Sequence, residues 1–444
     1  MLCLDADPIV LDATSIGVLV AIGVLLLLVV GRELRHVPAN LLVLMATAFL
    51  DMVGLFMVLP ILPFYVQSLQ QQGVTIFGFQ PEKGLLNGLV VTSYTVAQFL
   101  SAPWWGRYSD RHGRRPALLI ALAASAGAFL LFGFAESIWV LVLSRIVQGA
   151  GGGTVGVIQA YVADAVPPEQ RAKALGWLSA ATNLGVAFGP VLASLSLLLA
   201  DVDLWPAAGT QSLGRATPGV MAALLCVVNV YFAWRYLPES REQSQRRQPT
   251  VSARVALARV FANPDRSALR LLLTYGIAIG AAQGVNPTLV YFLEDRHGIS
   301  ETTIGYYFMY IGALSVFARV LLIGRAVERL GEAKLSRLGL ATLAVGLGTL
   351  PFTHSLATLA LATALLPLGM ALTFPCLTAL LSKIVSKDER GMYMGLQQTF
   401  GGVARMIAPV AYGIGMDALG MGAPFWLAAG LVALTLLLRA GGRS

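Results

Sequence analysis

The sequence predicts an all-α membrane protein built from two pseudo-symmetric six-helix bundles. Three observations carry that prediction. Apolar stretches of bilayer-spanning length recur through the chain, basic residues collect in alternate loops, and landmarks of the first half return in the second at a near-constant offset.

Composition sets the solvent. Of 444 residues, 57% are hydrophobic and 12% charged, with mean hydropathy +0.73, against about 25% charged in a soluble domain. Such a chain cannot cover its surface in water, so its surroundings are lipid. Stretches of about 20 apolar residues fall near 40–65, 84–105, 117–135, 138–163, 174–200 and 217–237, then 269–293, 303–324, 338–353, 356–383, 392–416 and 422–438. A linker at 238–268, rich in Arg, Gln and Ser and punctuated by Pro238, Pro249 and Pro264, separates the two sets. The chain thus divides into an N-terminal extension (1–36), a first bundle (37–237), the linker and a second bundle (269–444). Residues 14–30 form an additional apolar segment. It lacks a basic leader, so a cleaved signal peptide is not expected; a thirteenth span and a peripheral helix both stay open.

A net charge of +8 does not imply nucleic acid. With the start of the 40–65 helix in the cytoplasm, 25 of the 31 Lys and Arg fall in the inner segments. Only Lys83, Arg215 and Arg296 lie in outer loops, and Arg145, Arg319 and Arg405 lie within helices. That is the positive-inside pattern of a multi-pass protein with a cytoplasmic central linker. The three cysteines (Cys3, Cys226, Cys376) have no disulfide or metal spacing and read as packing residues. The one near-sequon, Asn286-Pro287-Thr288, is blocked by its proline, which fits a bacterial inner-membrane location.

The halves repeat. Gly106-Arg107 with Asp110-Arg111 returns as Gly324-Arg325 with Glu328-Arg329; Arg171 with Gly176 returns as Arg390 with Gly395; Gly189-Pro190 returns as Ala408-Pro409. Duplication on this scale is how secondary transporters build a midplane site between two rocking halves.

Chemistry inside the spans is sparse. Asp51 is the one acid deep within a helix, 12 residues or about 18 Å from the inner end of its span. It must be paired, protonated or wet, which suits proton coupling or a structural carboxylate. Arg145, in the fourth span, is its candidate partner. Arg405, in the eleventh, either meets an anionic substrate or fixes the bundle through a buried pair, while Arg319 lies near enough to Gly324 to snorkel to the inner surface. If the three arginines share one cavity, it is net positive. Tyr94, Gln98, Gln148, Gln283, Gln397, Gln398 and Arg405 are the substrate-path candidates; Asn229 and Asn183 read more simply as interhelical bonds. Pairs such as Gly149/Gly153 and Gly185/Gly189 permit close helix approach, and Pro190 removes a mid-helix donor.

Gly151-x-Gly153-x-x-Gly156 matches a dinucleotide fingerprint but lies mid-span with no preceding strand, so it does not mark a nucleotide site. No Gly-Lys pair exists, which removes a P-loop and direct ATP use, and no metalloprotease or serine-hydrolase motif is present. No enzyme activity and no cofactor is expected.

The loop Gly106-Arg107-Tyr108-Ser109-Asp110-Arg111-His112-Gly113-Arg114-Arg115-Pro116 resembles the signature of the major facilitator superfamily over a chain of six plus six spans. The resemblance implies that Gly106, Asp110, Arg111, Gly113, Arg114 and Arg115 help latch the cytoplasmic side. Arg145-x-x-Gln148-Gly149 is similar to the element linked to proton coupling in drug antiporters. Gly185-x-x-x-Gly189-Pro190 resembles the antiporter motif of the fifth span, with Ala193-Ser194 in place of the usual closing pair. Asp51-x-x-Gly54 running to Pro60-x-x-Pro63 resembles the twelve-span tetracycline and multidrug exporters. The implied function is proton-driven efflux of a small amphiphile by a monomer embedded in lipid. Import of a nutrient or organic anion by symport or facilitation is the rival, and a non-transporting membrane scaffold the outsider.

Overall fold

The computed structural model describes residues 39–75, 78–200, 210–239, 267–386 and 389–440. The apolar segment at 14–30 and most of the linker lie outside them. The described chain forms twelve helices. In the first half, α1 is Ala39–Val58 continued as Leu62–Gln70, α2 is Lys83–His112, α3 is Arg114–Gly133, α4 is Ile138–Ala150 continued as Thr154–Ala165, α5 is Pro168–Ala200 and α6 is Thr210–Tyr236. In the second, α7 is Ser267–Gly284 continued as Asn286–His297, and α8 is Ile304–Phe317 running through a π-helical turn, Ala318–Leu322, to residue 330. Then α9 covers 332–349, α10 is Leu356–Ile384, α11 is Arg390–Leu419 and α12 is Ala423–Ala440.

Local sequence places the breaks. Pro60 interrupts α1, and Pro287, one or two residues into the second part of α7, restarts that helix after Val285. Ser137 caps α4 by accepting the Val140 N–H, and Ser355 and Thr358 cap each other's backbone at the start of α10. The repeat survives in backbone geometry: Gly113, between α2 and α3, has φ 99°, and Gly331, between α8 and α9, has φ 72°. These left-handed positions, 218 residues apart, are where glycine costs least.

Nine helices are long and apolar enough to cross a bilayer by length and composition among the described residues. The exceptions follow from sequence. Ile304–Phe317 stops at the π-turn, α12 is short, and α11 carries Gln397, Gln398, Arg405 and Asp417. Each half has its own apolar core, around Val53, Phe129 and Cys226 in the first and Leu343, Phe425 and Val432 in the second. Cys226 and Cys376 are free, buried packing residues. Phe64 of α1 crosses into the second core. Side chains such as Leu224, Val227 and Leu361 stay exposed, at 55–72%, as lipid-facing residues do.

The halves meet along two helix pairs, α2 with α11 and α5 with α8. Both seams are tightest at the end away from the basic α2–α3 loop. There Gly84 lies against Gly413, Gly88 against Pro409 and Gly305 against Pro190, each with backbone where a Cβ would need to be. Toward the basic end α2 and α11 part.

Candidate functional site

The parting of α2 and α11 leaves a cavity of about 350 Å³, walled by α2, α4 and α11. It runs from Gly106, Ser109 and Arg114 at the basic end to Thr95, Gln98, Gly402 and Arg405 at mid-helix. Phe99, Trp105 and Gln398 complete its chemical lining. A volume of this order suits a small molecule.

The wall on α4 is shaped by Gly151–Gly153. This turn breaks the helix, and a Cβ on Gly153 would collide with the Trp105 ring, as one on Gly149 would with the Tyr94 carbonyl. The break takes from Ala150 the i+4 N–H its carbonyl would otherwise accept. Trp105 Nε1 replaces that bond at 2.6 Å. The fingerprint-like glycines therefore serve helix packing.

Asp51 is 7% exposed, and its carboxylate accepts a 2.7 Å hydrogen bond from Thr154 Oγ1. Thr154 directly follows Gly153, which lines the cavity. Asp51 therefore sits behind the wall, joined to it by one hydroxyl. Arg145 is not its hydrogen-bond partner among the described residues. Arg145 is 2% exposed, stacks over Phe132 at 5.0 Å and donates from Nε to Ser144 at 3.3 Å, leaving Nη2 without a partner. The α4 break accounts for the difference, because it turns Thr154 toward α1 while the Phe132 ring holds Arg145 on the other half-helix. Tyr94 lies within electrostatic range of Asp51, Arg145 and Arg405, and its hydroxyl accepts from Gln98 Nε2 at 3.1 Å.

The remaining polar candidates divide. Gln98 and Gln398 line the cavity. Gln148 is buried, with its Oε1 unpartnered. Gln397 is 1% exposed and takes a 3.3 Å bond from Thr378 of α10, so it faces its own bundle. Gln283 is exposed on α7 and is not part of the cavity lining. Arg319 Nη1 donates to Asn183 Oδ1 on α5 at 2.8 Å, a bond between the two bundles where α8 runs against α5. Asn229 bonds the Thr47 carbonyl at 2.9 Å, an interhelical bond.

The loop signature forms a cluster within the first bundle. Arg114 pairs with Asp110 and Asp164, both at 2.8 Å, and with Ser109. Glu239, at the start of the linker, accepts the N–H groups of Arg114 and Arg115 at 2.9 and 3.1 Å, capping α3. Gly113 must be glycine twice over, for its φ and because a Cβ would strike that carboxylate. Arg111 is exposed and Gly106 opens on the cavity. The bonds named here lie within the first bundle and the first residues of the linker.

The opposite end is closed by partners the sequence did not single out. Asp417 of α11 accepts the N–H groups of Gly84 and Leu85 at 2.9 and 2.7 Å, capping α2 across the seam. Thr92 donates to the Met406 carbonyl, Asn87 to that of Pro287 and Tyr291 to that of Pro63. On α5, Gly185 and Gly189 pack against Phe49, Val53 and Phe56 of α1, while Pro190 presents its carbonyl to α8. The antiporter-like stretch thus touches both halves.

Two helical bundles that pack along two seams and part around a cavity are the architecture of a membrane transporter. The chain belongs to the Major Facilitator Superfamily, whose family model matches residues 44–322 and again 271–441. It is 29% identical to the tetracycline resistance protein, class C, of Escherichia coli over 355 residues, which cover 80% of this chain and 84% of that protein. It is 24% identical to multidrug resistance protein 2 of Bacillus subtilis (strain 168) over 392 residues, covering 87% and 91%. The crystal structure of the human organic anion transporter MFSD10 (TETRAN) superposes with a TM-score of 0.66 at 24% identity, over 90% of this chain and 98% of that one.

Proposed function

We propose that this transporter exports a small amphiphile in exchange for a proton, with its basic end in the cytoplasm of a bacterial cell and its central linker on that side. The observation that carries the reading is the Asp51–Thr154 bond, which links a deep, protonatable carboxylate on α1 to the residue after the cavity-lining glycines of α4. Charged, Asp51 holds the second half of α4 through Thr154. Protonated, it loses the charge that makes this bond about twice as strong as a neutral one, and the half-helix is freed to swing about Gly151–Gly153. Arg145, buried nearby without an acid, biases the site against positive charge. The tetracycline and multidrug resistance relatives and the glycine-proline face of α5 support export over import.

The test is Asp51→Asn in inverted vesicles. Proton-driven uptake is expected to vanish while substrate exchange without a gradient continues. Undiminished uptake removes Asp51 from the mechanism, and substrate-linked proton flow in the same direction as substrate replaces antiport with symport.

A further inference from the structure

The cavity offers a charge that no described residue neutralises. Among the described residues two ionisable side chains line it, Arg114 and Arg405, and no Asp or Glu does. Arg114 is spoken for by Asp110 and Asp164. Arg405 forms no hydrogen bond or ion pair among the described residues, and Tyr94 is the ionisable group that senses it. It stands 15 residues from the start of α11, about 22 Å along the helix axis. A guanidinium held at that depth is costly unless something compensates it.

We infer that Arg405 is the anchor for an organic carboxylate, and that the cavity selects planar aromatic anions over amines of the same size; this rests on the export reading above. A guanidinium fork matches a carboxylate through two parallel hydrogen bonds. Gln398, two turns earlier on the same face of α11, offers an amide donor to the same cavity, and Gln98 on α2, its Nε2 held by Tyr94 and the Gly152 carbonyl, lines the facing wall. The apolar part has a platform as well. Gly402, one turn before Arg405, lies within 3.1 Å of the Phe99 ring when a Cβ is placed on it. Phe99 is thus pressed against the helix that carries the cation. Trp105 lies on the same wall, its N–H already committed to Ala150. Arg145, buried and without an acid, adds to the positive potential, while Asp51 is screened behind Thr154. An ammonium entering here would meet two cations and no exposed acid.

Binding decides it. The full chain in nanodiscs, without an ion gradient, is titrated calorimetrically with naphthalene-2-carboxylate, its amide and 2-naphthylmethylamine. The expected order is carboxylate, amide, amine, with the carboxylate about tenfold or more ahead of the amide, as a charged hydrogen-bonded pair provides. In R405Q, checked for folding by elution and melting temperature, the carboxylate and amide converge; in R405K the carboxylate keeps part of its lead. An amine bound best, a carboxylate no better than its amide, a lead that survives R405Q, or no binding by any of the three overturns the assignment. No gradient is involved, so a failed preference beside intact Asp51-dependent proton exchange sinks this inference alone. A preserved preference without proton-linked transport sinks the coupling reading instead.

Discussion

The Pro190 carbonyl of α5 rests against the α-carbon of Gly305 on α8, and the Pro409 carbonyl of α11 rests in the same way against Gly88 on α2. The two contacts are related by the internal repeat, since 190 and 409 are 219 apart and 88 and 305 are 217 apart. One ancestral contact therefore became both seams that close the end opposite the cavity mouth. Each proline carbonyl lies where a side chain on the facing glycine would have to go.

Gly305→Ala and Gly88→Ala each place a methyl group on that backbone, which has little room to yield. Overpacking of this kind costs about 1–3 kcal/mol, here charged only to the conformation in which the seam is shut. Both variants are expected to populate the form open at the opposite end. Labelling of a cysteine placed at Thr92, half-buried in the α2–α11 seam, reads the shift. Unchanged labelling would mean the seams separate without losing this contact.

Asp417→Asn weakens the same closure by another route. The carboxylate caps α2 from across the seam, and its charge favours the positive helix end by about 0.3–1 kcal/mol. The amide keeps one acceptor and loses the charge. A smaller shift than at Gly305, suppressed by high salt, is the expected result in the same labelling assay.

Thr154→Val removes the hydroxyl that joins Asp51 to α4 while keeping the side chain's shape. Asp51 is left as a buried acceptor without its donor, a loss of about 1–3 kcal/mol. Proton-driven transport should fall steeply, and Thr154→Ser should restore it. A valine variant with normal coupling would show that Asp51 acts without this bond.

Arg145→Met trades a buried cation that lacks an acid for an apolar side chain of similar length. Replacing buried charge by packed apolar atoms is often neutral or stabilising, by about 1–4 kcal/mol. The variant should melt no lower than the parent in detergent yet transport poorly. A large drop in melting temperature would instead assign Arg145 to the architecture of α3 and α4.

Gly113→Ala tests the loop signature. A left-handed residue with a side chain costs about 1–2 kcal/mol, and here the methyl group also displaces Glu239 from the start of α3. A lower melting temperature, partly relieved by pairing the change with Glu239→Ala, is the expected outcome.

Sequence revealed the spans, the repeat and the signature loop because each is a statement about solvent. Lipid demands apolar length, and its charge asymmetry sorts the loops. Partners inside the bundle were harder to read. Asp51 and Arg145 looked like a pair by depth, but three glycines break α4, and helical periodicity does not carry across such a break. Gln397 and Gln398 are neighbours in sequence and about 100° apart around the helix; one bonds α10 and the other faces the cavity. Polar residues on an apolar helix do not announce which neighbour they meet. Asp417 and Glu239 escaped notice because each caps a helix distant in sequence, a relation visible only once the helices are packed.

The cavity open at the basic end also reshapes the electric field. Water filling the cavity as far as Gln98 and Gly152 would make that half of the protein a conductor, and the membrane voltage would then fall mainly across the opposite half, where α2 meets α11. On the proposed proton exchange, a proton approaching from that side would cross most of the potential in a short distance, gaining about 2.3 kcal/mol per 100 mV. Turnover should then respond to voltage almost as though one full charge moved the whole way.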